Sequence, residues 1–197
     1  GAHLGDAGAY ASVDYQYAGF SAGVWAIDDG GANADDDDIA GGDGLEVDIY
    51  LAYGGEIEGF TYGVGYTRYE YTYSGDFEHE YAVNIGFAGF GLAYVDGVAE
   101  AEILRGPDEE QDYDVISLSW SGDVVAVTVA DVSTDDVDNT REGDSNYRYA
   151  EVSASKELSG FAFTATAGTV FDGEVDGVSS ESGDGYILLD VSKSFDL

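Results

Sequence analysis

The chain has no cysteine, a single proline and only six basic residues among 197. Without cysteine there is neither a disulfide framework nor a thiolate metal site, and cysteine usage carries no information on compartment. Six bases against 41 acids leave a formal charge of -35. That balance argues against a nucleic-acid partner, because phosphate contacts are made by Lys and Arg, and equally against docking on anionic lipid headgroups. It fits a strongly solvated surface, read as adaptation to salt, as a cation-attracting surface, or as both. No apolar run reaches the ~18 residues of a membrane-spanning helix. A membrane β-barrel is untouched by that absence, since its strands need only about ten alternating residues each. No leader peptide is visible, so an exported form is expected to be a mature or trimmed chain.

What is abundant is glycine, 29 residues, and tyrosine, 16 residues, a composition of strands and tight turns. The stretch LEVDIYLAY, residues 45–53, sets the pattern. Leu45, Val47, Ile49, Leu51 and Tyr53 share one side of an extended strand, and Glu46, Asp48, Tyr50 and Ala52 share the other. A soluble sandwich turns the apolar side inward; a membrane barrel turns it toward lipid.

The same alternation predicts about eleven strands, near 9–17, 20–27, 45–53, 60–73, 77–87, 90–98, 112–120, 124–132, 147–157, 161–171 and 186–195. Tight connections such as Ala18-Gly19, Ala88-Gly89, Gly122-Asp123 and Ser159-Gly160, with a return over 54–59, follow the odd strands. Longer polar connections follow the even ones, among them the acidic stretches 28–44, 133–146 and 172–185. All long loops then fall at one end of an up-and-down meander, as in outer-membrane barrels, whereas Greek-key crossovers fall at both ends. Lys156 and Lys193 lie near the short-turn end with Tyr17, Phe60, Tyr62, Phe161 and Phe195, where an aromatic girdle is expected. The expectation is one all-β domain over 1–197, an antiparallel up-and-down β-barrel in the outer membrane. A soluble sandwich or barrel is the alternative.

Three segments carry a family resemblance: GAHLGDAGAYASVDYQYAGFSAGVWAID, LEVDIYLAYGGEIEGFTYGVGYTRYEY and the terminal DVSKSFDL. Together they resemble the TorF-like porins, also known as the Gcw-chp family, over essentially the whole chain. The resemblance implies an outer-membrane β-barrel and, by the family's label, a porin. In that family's pattern a further strand ending in Arg-Gly precedes the stretch that matches Gly1 to Tyr10, so this chain looks as though it starts one strand late. With eleven strands visible, twelve are expected, because single-chain bacterial barrels normally have an even number. The first strand is missing from the sequence, or Gly1 to Gly8 closes the barrel, or the chain is cleaved after a basic residue.

In a barrel, the faces opposite the apolar stripes line the lumen, which gives Asp14, Gln16, Glu46, Asp48, Tyr50, Glu151 and Asp190 as candidate pore-lining residues. Acids without nearby bases favour cations; alternatively these groups simply keep the interior polar around packed tyrosines. Asp35, Asp36, Asp37 and Asp38 are candidate calcium ligands, as hard cations prefer carboxylate oxygens, but their spacing matches neither an EF-hand nor a nonapeptide repeat. Solvated charge is the plainer reading, there and at Asp135, Asp136 and Asp138. His3 and His79, the latter in Glu78-His79-Glu80, have flanking acids that could support a weak metal site, but a lone exposed histidine is the plainer reading. No nucleophile elbow, phosphate loop or zincin helix occurs, and catalysis and cofactors are not expected. The expected partner is outer-membrane lipid. An extracellular alternative is a secreted acidic subunit that assembles into filaments or sheets through open strand edges.

Overall fold

A computed structural model describes residues 9–28, 45–72, 77–100, 110–136, 145–175, 178–179 and 185–195. They form one antiparallel sheet. Its strands are β1 Ala9–Tyr17, β2 Phe20–Asp28, β3 Leu45–Ile57, β4 Phe60–Tyr71, β5 Phe77–Phe87, β6 Phe90–Glu100, β7 Glu110–Ser121, β8 Val125–Asp136, β9 Ser145–Leu158, β10 Phe161–Val175, β11 Val178–Ser179 and β12 Gly185–Ser192. Each pairs with its predecessor in sequence, except that β12 pairs with β10 and the two-residue β11 covers only the far end of β10. Eleven long strands therefore follow one another as an up-and-down meander.

Four two-residue turns fix the register. Ala18-Gly19, Glu58-Gly59, Ala88-Gly89 and Ser159-Gly160 all hold both central residues at positive φ, the mirror-image turn whose twist matches that of the flanking strands. Each follows an odd-numbered strand. The β7–β8 connection is instead closed by the Gly122 amide donating to the Val125 carbonyl at 2.8 Å.

Some strands differ from the sequence expectation. β3 continues through Gly54-Gly55 to Ile57, because Gly54 and Gly55 pair with Gly63 and Tyr62 on β4. The Gly54 amide also donates to the Gly19 carbonyl at 2.9 Å. The glycines that suggest a turn are there for close approach: a Cβ on Gly54 would sit 2.7 Å from the Tyr62 carbonyl oxygen. β8 and β10 run past their expected ends into acidic sequence, and β12 stops at Ser192 rather than Phe195. The aspartates Asp35, Asp36, Asp37 and Asp38, with Asp138, His3 and Pro107, lie outside the described residues.

Alternation gives the sheet two unlike faces. One carries Val24, Leu51, Val64, Ile85, Leu92, Leu118, Val129 and Leu189, and it is open to the surroundings: Leu51 is 58%, Ile85 60% and Leu118 58% exposed. The opposite face holds Asp14, Glu46, Asp48, Glu78, Glu80, Glu151 and Asp190, with tyrosines such as Tyr50, Tyr69, Tyr113 and Tyr186 and several glycines. Among the described hydrophobic residues only Ala130 and Val132, both on that polar face, are buried. The usual arrangement of a soluble fold is reversed, with the apolar surface outside.

The first and last strands approach each other. Tyr10 on β1 donates from its hydroxyl to Asp190 Oδ2 on β12 at 2.8 Å. Both side chains belong to the polar face, so the sheet curls toward that face and its two edge strands come within side-chain reach of each other. Among the described residues no backbone ladder joins β1 to β12.

Candidate functional site

Among the described residues the largest convergence of titratable groups is on the polar face, and the strand register shows how they come together. Asp14 pairs with Gly23, and Gly23 with Tyr50; Tyr50 pairs with Thr67 and Thr67 with Glu80; Glu80 pairs with Gly97 and Gly97 with Tyr113. This single row crosses seven strands. One step toward the long loops, Ser12, Trp25, Asp48, Tyr69 and Glu78 form the next row. Glu151 lies farther round the sheet, level with Gly168 and Tyr186. The seven residues singled out in the sequence, Asp14, Gln16, Glu46, Asp48, Tyr50, Glu151 and Asp190, thus share one face, but they do not form one cluster.

The densest group is Glu46, Asp48, Glu78 and Glu80 on β3 and β5, where Asp48 is repelled by the other three carboxylates. Two hydroxyls hold Glu80 from opposite sides. Tyr69 donates to its Oε2 at 2.7 Å and Tyr113 to its Oε1 at 2.7 Å, so both carboxylate oxygens are anchored and the charge has a fixed position. Asp48 differs: its Oδ1 is enclosed and has no hydrogen-bond partner. Among the described residues, no three His, Asp or Glu side chains are arranged to hold a metal ion. The group is a field of negative charge with tyrosine hydroxyls as its donors.

A repeated device positions these groups. Tyr113 lays its ring over Gly97, where a Cβ would come within 2.2 Å of the ring, and so reaches Glu80 two strands away. Tyr186 lies over Gly168 in the same way and donates to Glu151 on β9. Tyr50 lies over Gly23, with Asp14 Oδ1 beside its hydroxyl. In each case an acid, a glycine and a tyrosine sit in register on three successive long strands. The glycine is required sterically, since any side chain there would occupy the volume of the ring.

Toward the short turns the polar face empties. Small residues such as Ser21, Ala52, Gly63 and Ala82, with Gln16 and Asn84, border a recess of about 480 Å³. The two ends of this face therefore differ: one is crowded with tyrosine and carboxylate, the other holds a recess lined by small and neutral residues.

The apolar face is banded. At its short-turn margin Phe20 packs on Tyr53 with centroids 4.7 Å apart, and Phe60 stacks on Phe87 at 4.3 Å. Lys193 places its ammonium 4.8 Å from the Phe161 ring and 5.1 Å from that of Phe195. At the other margin Tyr66 meets Tyr81 at 5.2 Å. Charges begin just beyond, with Arg68 paired to Glu70 at 2.5 Å and Arg148 to Asp131 at 2.6 Å. From Phe60 to Arg68 is about 27 Å along the strand at ~3.4 Å per residue.

Sequence reasoning did not include Glu78, Glu80, Tyr69, Tyr113 and Tyr186 among the candidate lining residues. The signal was present for Glu80: period-two alternation along residues 77–87 puts Glu78 and Glu80 on the same face as Ala82, Asn84 and Gly86. Comparison of the chain with family models, curated proteins and solved structures finds no match.

Proposed function

We propose that the sheet is the wall of a narrow outer-membrane β-barrel that favours the passage of small cations. The carrying observation is the reversed burial, with a continuous apolar face exposed around the sheet and carboxylates and tyrosines on the face toward which it curls. A contiguous apolar surface of this extent is not left facing water by a soluble protein. Its apolar band, ~27 Å along tilted strands from the Phe60 margin to the first charge at Arg68, is comparable with a lipid-facing band of about 25 Å. The resemblance to TorF-like porins supports the same reading.

With eleven or twelve strands the lumen is narrow, since water-filled channels belong to barrels of about 16 strands or more. Tyrosine rings over Gly97 and Gly168 narrow it further at the long-loop end. A fixed ring of acids in such a constriction attracts cations and repels anions. Glu80 is held by its two tyrosines, whereas Asp48 has an oxygen to offer. The calcium possibility at Asp35 to Asp38 is not part of this reading.

The test has two parts. The native protein is expected to fractionate with outer membrane and to require detergent for extraction. In planar bilayers the reversal potential in a salt gradient is expected to report cation preference, reduced in the Asp48→Asn, Glu46→Gln double variant. Unchanged selectivity removes the role of these acids, and an absence of conductance removes the pore. The second reading, a secreted acidic subunit sharing strands, is favoured by the outer edges of β1 and β12, which have no ladder partner among the described residues; recovery of the native protein as extracellular material without detergent would select it.

A further inference from the structure

The chain has two lysines, and the fold brings both to one place. Lys156 on β9 is opposite Phe163 on β10, and Lys193 follows Ser192 of β12, which is opposite Ala162. The two therefore flank the same short stretch of β10, on the apolar face at its short-turn margin, with Cα atoms about 12 Å apart by strand spacing and rise. The Lys193 ammonium is held 4.8 Å from the Phe161 ring and 5.1 Å from that of Phe195. Among the described residues neither lysine is paired with a carboxylate; Arg68 and Arg148, at the opposite margin, are. Glu157, next to Lys156, is turned to the polar face by alternation. In a chain of net charge -35, two unneutralised cations on the strands either side of β10 call for an anion from outside.

The surface beside the lysines limits which anion fits. From them toward the long loops, the outward positions of β10 are Ala165 and Ala167, with Ala154 of β9 opposite Ala165. On the other side stand Leu189 and Ile187 of β12, paired with the same two alanines and 76% and 80% exposed. The result is a shallow apolar trough that ends on the two ammoniums. A free phosphate uses the cations and leaves the trough empty, and a neutral lipid uses the trough without the cations. A lipid with an anionic phosphate headgroup uses both. The ammoniums meet the phosphate as point charges, and an acyl chain lies against alanine, where no large side chain stands in its way.

We infer that Lys156 and Lys193 bind one anionic phospholipid of the leaflet at the short-turn side, its phosphate between the two ammoniums and an acyl chain along the alanine trough of β10. The inference rests on the lipid-facing reading of the apolar face and goes beyond it, because a girdle lysine that serves only as an anchor does not distinguish headgroups. It does not need the pore, since both lysines lie on the face away from the lining carboxylates. The rest of the chain's charge repels anionic surfaces at long range. Preference for such a lipid is therefore local to this pair and disappears with it.

The full chain is taken up in neutral maltoside micelles, phosphatidylglycerol or phosphatidylcholine with the same acyl chains is titrated in, and bound lipid is counted by native mass spectrometry. One phosphatidylglycerol per chain is expected, at about tenfold higher affinity than phosphatidylcholine. The Lys156→Gln, Lys193→Gln double variant is expected to lose that preference, and the Lys156→Arg, Lys193→Arg variant to keep it. Glycerol phosphate, the headgroup without its chains, is expected to bind roughly tenfold or more weakly than the lipid. Equal affinity for the two lipids overturns the inference without recourse to any variant. So does a preference that survives in the glutamine variant, glycerol phosphate bound as tightly as the lipid, or a protein dimer in place of bound lipid. In each of these results the chain is still held in detergent, and the membrane reading stands. A chain that stays in solution when detergent is removed and binds neither lipid overturns that reading and the inference together.

Discussion

Glu80 shows how single residues make the acidic face. Its two oxygens accept hydrogen bonds from Tyr69 and Tyr113, so it contributes charge without freedom to move. Replacing Tyr113 by Phe leaves the ring over Gly97 but removes one donor, and unfolding in urea is expected to register a loss of about 1–2 kcal/mol. Gly97→Val expels the ring itself and is expected to lose about 1–3 kcal/mol. Gly185→Ala is the control: the nearest atom to its new Cβ lies at 3.4 Å, and its effect is expected within about 0.5 kcal/mol. Equal effects at Gly97 and Gly185 would show that the ring does not need the space.

Among the elements, the two-residue turns decide the register of the sheet. Ala18, Glu58, Ala88 and Ser159 occupy the first central position at φ near +50°, a region where a Cβ is strained and Asn or Gly is preferred. Ala88→Asn is expected to stabilise the β5–β6 hairpin by about 0.5–1 kcal/mol, read as a higher unfolding midpoint with an unchanged denaturant slope. The turns also explain why β3 outruns its sequence signal. Glu58-Gly59 fixes Ile57 opposite Phe60, and Gly54 and Gly55 are thereby drawn into the ladder with β4. Glycine pairs ordinarily mark a turn, and only the neighbouring strand shows that here they make room for the Tyr62 backbone and ring.

For the whole molecule, the formal charge of -35 dominates the response to salt. Self-repulsion of this size opposes the compact state. Raising sodium chloride from about 0.1 M to about 1 M shortens the screening length from ~10 Å to ~3 Å. The thermal midpoint is expected to rise by roughly 2–4 °C for each kcal/mol of repulsion relieved; a midpoint that falls with salt contradicts this account. Attractive surface pairs such as Arg148 with Asp131 are weakened by the same screening, but each contributes little at ~50% exposure.

Period-two alternation in the sequence by itself determined the all-β class, the meander, the two unlike faces and the common side on which Asp14, Glu46, Asp48, Glu151 and Asp190 fall. Strand neighbours were legible because tight turns force consecutive strands together. Asp48 with an enclosed oxygen, the two hydroxyls on Glu80 and the acid, glycine and tyrosine rows were not legible. They depend on which residues stand opposite across two ladders, and a one-residue change in a turn would shift every such partner. The tertiary structure alone decided how far the sheet curls. That curl brings Tyr10 to Asp190 across 180 positions of sequence, a contact set by accumulated twist that no local pattern encodes.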